Sequence, residues 1–126
     1  MKKILIIIVS VLLITGCTNN ETSNNSKVNT NENITKEQVI GNVNINNISL
    51  TYKEGTSNFK MTITNIADQN ININNFKVTF KSKSGSIITV LNGFSLDNIE
   101  PNTSLEIVLD SDIDLSKAYS VEYEIN

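Results

Sequence analysis

Asp110, Asp112 and Asp114 stand at alternate positions near the end of the chain, and Ser116 continues the spacing. Clustered carboxylate and hydroxyl oxygens are what a hard cation such as calcium requires. Counted as a calcium loop from Asp110, position six is Leu115 instead of the glycine that the sharp turn needs. Position twelve is Val121 instead of a bidentate glutamate. The favoured reading is therefore a solvated acidic loop between two strands. Divalent-cation or small-ligand binding by this loop is kept as the alternative function.

Catalytic groups are hard to assemble from this chain. Histidine, the usual general base near neutral pH, is absent. Serine and threonine are plentiful, but none has an evident base beside it, and Ser82-Lys83-Ser84 reads as a polar hairpin. Glu122 and Glu124 alternate onto the solvated side of the last strand, where they would protect an edge from aggregation. Tyr52, Tyr119 and Tyr123 invite a binding-face reading. Tyr119 and Tyr123, however, share their face with Val121 and Ile125, so core positions with hydroxyls at the rim are expected. No catalytic residue and no cofactor is expected.

The one cysteine, Cys17, has a different chemistry open to it. Met1-Lys2-Lys3 forms a short positive start, and residues 4–14 are apolar apart from Ser10. A membrane-spanning helix needs about 20 apolar residues, so this run has the length of a secretory signal. Ile14-Thr15-Gly16-Cys17 follows and resembles the bacterial lipobox: an aliphatic residue, two small residues and cysteine. The resemblance implies a thioether to diacylglyceride on Cys17 and cleavage between Gly16 and Cys17. Small residues before the cut admit a peptidase to the backbone, and only a thiol can form the thioether. An ordinary secretory signal with a free cysteine nearby is the competing reading.

Cleavage there would leave 8 lysines against 13 acids in the mature chain, with no arginine. Nucleic acid would demand a basic stripe, so it is excluded as a partner. The net acidity also argues against attraction to anionic headgroups, leaving the lipid to hold the protein. With a single cysteine, no disulfide within the chain can form, so the folded part must rely on its apolar core. Asparagine occurs 21 times, a bias that fits an A/T-rich genome of low-GC Gram-positive type.

Residues 17–40 are almost wholly polar, with Val28 and Ile34 the sizeable apolar side chains before Val39. Such a segment is expected to be a flexible tether, since it buries too little apolar surface to offset chain entropy. About 20 residues would give a typical reach of roughly 25 Å. From Gly41 the pattern alternates with period two, the mark of half-buried strands. Phe59, Met61 and Ile63 share one face, as do Phe76, Val78 and Phe80, then Leu105, Ile107 and Leu109, then Tyr119, Val121, Tyr123 and Ile125. In the first strand the apolar phase shifts at Asn46-Asn47, which predicts a bulge. Glu54-Gly55, residues 67–70, Ser84-Gly85, Asn92-Gly93 and Pro101-Asn102 supply turns, and residues 110–117 form a loop with a helical turn near Leu115-Ser116. The expectation is an all-β fold: a single immunoglobulin-like antiparallel β-sandwich of about seven strands over residues 41–126, preceded by a signal helix and a disordered tether.

Residues 41–126 also resemble the FxLYD-type and related immunoglobulin-like domains of Gram-positive lipoproteins. The matching positions are Gly41-Asn42-Val43, Asn65, Val78-Thr79-Phe80 leading to Ser84-Gly85, and Ile99-Glu100-Pro101-Asn102. The chain lacks the family's Tyr-Asp pair after the third strand and has Asn102 where the family has glycine. The resemblance implies an extracytoplasmic all-β domain and supplies no catalytic residues. The combined expectation is a non-enzymatic lipoprotein on the outer face of the cell membrane. It would be anchored by lipid on Cys17 and would offer edges and loops to an envelope protein partner, an inference by fold analogy.

Overall fold

A computed structural model describes residues 26–126. The elements are β1 (Lys27–Val28), α1 (Glu32–Thr35), β2 (Gln38–Ile40), β3 (Val43–Lys53), β4 (Thr56–Asn65), β5 (Ile71–Lys81), β6 (Ile87–Ile99), β7 (Ser104–Ser111) and β8 (Ser120–Ile125). They form two antiparallel sheets. One runs β1-β3-β4-β7, with β2 also on β3, and the other runs β6-β5-β8. The chain changes sheet three times: between β4 and β5, between β6 and β7, and between β7 and β8. This is the all-β sandwich expected from the alternation.

The alternation builds the core directly. Val43, Ile45 and Leu50 of β3 and Phe59, Met61 and Ile63 of β4 are buried from one sheet, and Phe76, Val78 and Phe80 of β5 and Val121 of β8 from the other. Phe59 meets Phe80 across the sandwich edge to face, with ring centroids 5.1 Å apart, and Phe76 stacks on Phe94 at 4.9 Å. Both geometries are favoured by the aromatic quadrupole.

The turn chemistry follows the sequence. Glu54 and Gly55 both have positive φ, 53° and 83°, as a two-residue hairpin between Lys53 and Thr56 requires. The register of β3 on β4 shifts between Asn46 and Ser49, and Asn47 takes φ 51° there. The bulge thus falls where the apolar phase changes. Asn102 also has positive φ, 63°. Asparagine tolerates this region better than most residues, which explains how it stands where a glycine would be expected.

Three expectations need correction. Asn92-Gly93 is not a turn: β6 runs unbroken from Ile87 to Ile99, with register irregularities that absorb the phase change. Glycine at 93 is there for space, because a Cβ would lie 1.6 Å from the Phe76 carbonyl oxygen. Tyr119 is not a core residue. It precedes β8 and is exposed, while Tyr123 and Ile125 pack against the core.

The third correction concerns the expected tether. Residues 26–40 are part of the fold. β1 and β2 pair with β3, and α1 touches both β3 and β8. Among the described residues no strand pairs with the far side of β8, and α1 closes the sandwich on that side with Ile34 fully buried. Asn31 caps the helix, its side-chain oxygen accepting from the Asn33 amide at 2.8 Å. Composition pointed to disorder because one buried isoleucine and a few side-chain hydrogen bonds hold this segment, and an average over 24 residues hides them.

Candidate functional site

Strand directions gather the sequence-predicted polar residues at one end of the sandwich. That end holds β1, the β3–β4 turn, the β5–β6 hairpin and the 112–119 loop joining β7 to β8. The loop crosses from one sheet to the other, so both of its flanks are anchored. Ser57, buried at the start of β4, donates through Oγ to the Ile113 carbonyl at 2.6 Å and accepts from the Leu115 amide at 2.9 Å. Asn29 donates through Nδ2 to the carbonyls of Leu115, 3.0 Å, and Ala118, 2.8 Å. Leu115 and Ala118 are buried beneath the loop. The expected helical turn is present, with the Ala118 amide donating to the Leu115 carbonyl at 3.1 Å.

The three aspartates lie on this frame but do not converge. Asp110 is the penultimate residue of β7, where its carboxylate accepts from the Asn58 side-chain Nδ2 at 2.7 Å. Asp112 is exposed. Asp114 accepts from the backbone amide and hydroxyl of Ser116, at 2.9 and 2.6 Å, and lies 3.8 Å from Lys27 Nζ. The Ser116 hydrogen bonds, chiefly the hydroxyl, hold the Asp114 carboxyl below its ordinary 3.8. Among the described residues no group of three histidine, cysteine or acidic side chains is placed to hold a metal ion. Asp114 works as a local turn cap, and the alternating spacing reflects an edge strand running into a turn.

The other candidates sort in the same way. Glu122 and Glu124 point outward from β8 as alternation requires, but each meets a lysine of β5: Lys81 at 3.0 Å and Lys77 at 2.8 Å. Exposed pairs of this kind contribute little to stability. The Ser82, Ser84 and Ser86 hydroxyls line up at 2.9 and 3.2 Å in the β5–β6 hairpin, as a polar tip. Tyr52 sits beneath Lys27, whose Nζ is 5.9 Å from the ring centroid. Tyr123 lies between Phe59 and Phe76, and its hydroxyl is buried without a hydrogen-bond partner. Burial pushes its phenol well above the ordinary value.

Among the described residues three polar side chains are buried, Asn29, Ser57 and Asn65; sequence reasoning missed Asn29 and Ser57, and marked Asn65 only as a position of the family resemblance. Asn65 donates to the carbonyls of Gln69 and Ile99, 2.9 and 2.7 Å, and accepts from the Ala67 amide, 2.8 Å. It ties two crossovers together at the opposite end. With 21 asparagines in the chain, nothing in the sequence around Asn29 marks it. Gly16 and Cys17, the expected cleavage and lipidation positions, lie outside the described residues.

Strand pairing defines the class of protein: a two-sheet antiparallel β-sandwich domain with short N-terminal elements closing one side. No family model and no curated protein matches the chain. Among solved structures it is similar to the crystal structure of a DUF1425 family member from Shewanella sp. pv-4, at 12% identity and TM-score 0.45, over 71% of this chain and 85% of that chain. The sandwich assignment stands on the strand pairing itself.

Proposed function

We propose that this protein is a bacterial lipoprotein, of Gram-positive type, held on the outer face of the cell membrane by lipid on Cys17. Its β-sandwich acts as a non-enzymatic interaction or accessory domain related to the FxLYD-type domains of such lipoproteins. The observation that carries the reading is the ordered run of Lys2-Lys3, the apolar stretch to Ile14, and Thr15-Gly16 before the only cysteine. Two acyl chains on that cysteine would make anchoring durable, since each buried methylene contributes about 0.8 kcal/mol. Among the described residues, β6 and β7 are sheet edges, the features an envelope protein partner would engage, because strand addition uses main-chain groups any partner can match.

Metabolic labelling with a fatty acid tests the anchor. Wild-type protein takes up label and Cys17→Ser does not; labelled Cys17→Ser protein overturns the proposal. The alternative, cation binding at Asp110, Asp112 and Asp114, gains no support from carboxylates that point to separate partners. Capture of a defined envelope protein by the wild type, lost when the exposed Val108 of edge strand β7 is replaced in Val108→Lys, tests the interaction role.

A further inference from the structure

The end of the sandwich that receives the N-terminal segment differs chemically from the rest. It comprises residues 26–28, 53–56, 81–87 and 111–119. Of the eight large apolar side chains exposed among the described residues, four are here: Val28, Ile87, Ile113 and Tyr119. Lys27, Lys53, Lys81, Lys83 and Lys117 share this end with three acids, Glu54, Asp112 and Asp114, whereas the remaining described residues carry three lysines against nine acids. Two of those nine, Asp110 and Glu122, border this end, and Glu122 pairs with Lys81. The net acidity of the chain therefore conceals an uneven distribution. Apolar side chains and tyrosine flanked by long lysine stems suit a bilayer interface, where the stems lie along apolar surface and the ammonium groups reach the headgroups.

Covalent geometry points the same way. Nine residue steps separate Cys17 from Ser26, so the segment spans at most about 30 Å. A strand of β5's length, 11 residues, covers about 36 Å. An anchor at Cys17 thus keeps the end bearing β1 near the lipid. The opposite end, with Asp68 and Glu100, lies a further strand length from the anchor.

From this placement we infer that the end formed by β1, the β5–β6 hairpin and the 112–119 loop is a membrane-contact face. It rests on the lipid surface with Ile113, Tyr119 and Ile87 against the headgroup region and the lysines at the phosphate level. The inference rests on lipidation of Cys17. The loop is suited to the task because Ser57 and Asn29 pin it from below, so its exposed apolar residues are presented on a rigid support.

The chain has no tryptophan, so single reporters can be introduced. Full-length lipidated Ile113→Trp, Tyr119→Trp and Ile66→Trp proteins are reconstituted into phosphatidylglycerol–phosphatidylcholine vesicles with and without brominated acyl chains. Ile66 is an exposed residue just beyond β4, at the opposite end. All three proteins float with the vesicles. Bromine quenches the reporters at 113 and 119 at least about twofold more than the one at 66, as depth of contact requires. Equal quenching in proteins that float overturns the contact face while leaving the anchor intact. Proteins that do not float overturn the anchor, and the contact face with it.

Discussion

Asn29 and Ala118 are 89 positions apart in sequence, yet Nδ2 of the first lies 2.8 Å from the carbonyl oxygen of the second. The same amide group also holds the Leu115 carbonyl, and the Asn29 backbone amide donates to the Leu50 carbonyl at 2.9 Å. One residue of an apparently featureless polar segment thereby joins β3 to the loop that crosses between the sheets.

Asn29→Ala removes the side-chain donor from the Ala118 carbonyl, while the Leu115 carbonyl keeps the Ala118 amide, and destabilises the protein by about 1–3 kcal/mol, read from urea unfolding. A residue in a free tether would change stability by less than about 0.5 kcal/mol. The two readings of residues 26–40 are therefore separated by one pair of denaturation curves.

Gly93→Ala forces a methyl group against the Phe76 carbonyl, and backbone on both sides limits relaxation. Overpacking of this kind costs about 3 kcal/mol. The neighbouring Asn92→Ala serves as the control in the same thermal unfolding experiment, and a change within about 0.5 kcal/mol is expected for it. If Asn92-Gly93 were a turn tip, the glycine substitution would be far milder.

Tyr123 predicts a pH effect of definite sign. Its hydroxyl is buried and unpartnered, so the folded state favours the neutral phenol. The unfolded chain ionises from about pH 10. Stability is thus unaffected by Tyr123 below that pH and falls as pH rises above it. Tyr123→Phe removes the orphaned hydroxyl, raises stability at neutral pH by about 1 kcal/mol, and flattens the alkaline decline. A loss of stability in the phenylalanine variant would mean that the hydroxyl has a partner.

Calcium is expected to have no effect on the protein. Asp110 and Asp114 are committed to Asn58 and Ser116, and among the described residues no third ligand joins them. Calorimetric titration gives no binding heat, and the melting temperature is unchanged by millimolar calcium. A heat that vanishes in Asp112→Ala would restore the cation-binding function.

Much of the sandwich was legible because its signal is local. Alternation in β3, β4, β5 and β7 assigned their inward faces, and the phase shift at Asn46-Asn47 located a bulge. What was not legible depends on distant partners. Gly93 resembles a turn residue until the Phe76 backbone is placed beside it. Asn29 and Ser57 are unremarkable polar residues until the carbonyls they hold are known. Ile34 is a lone apolar residue in polar company, and only the gap beside β8 gives it a role. The Asp110–Asp114 spacing failed as a site signal for a related reason: alternate residues at a strand end diverge, and proximity in sequence did not become proximity in space.

The central claim is that Cys17 carries the protein's location. Mass spectrometry of the N-terminal peptide of the protein purified from its native membrane tests it most directly. The account predicts a peptide that begins at Cys17 and carries the mass of a diacylglyceryl group on sulfur. A peptide that begins elsewhere, or Cys17 with a free thiol, would contradict it.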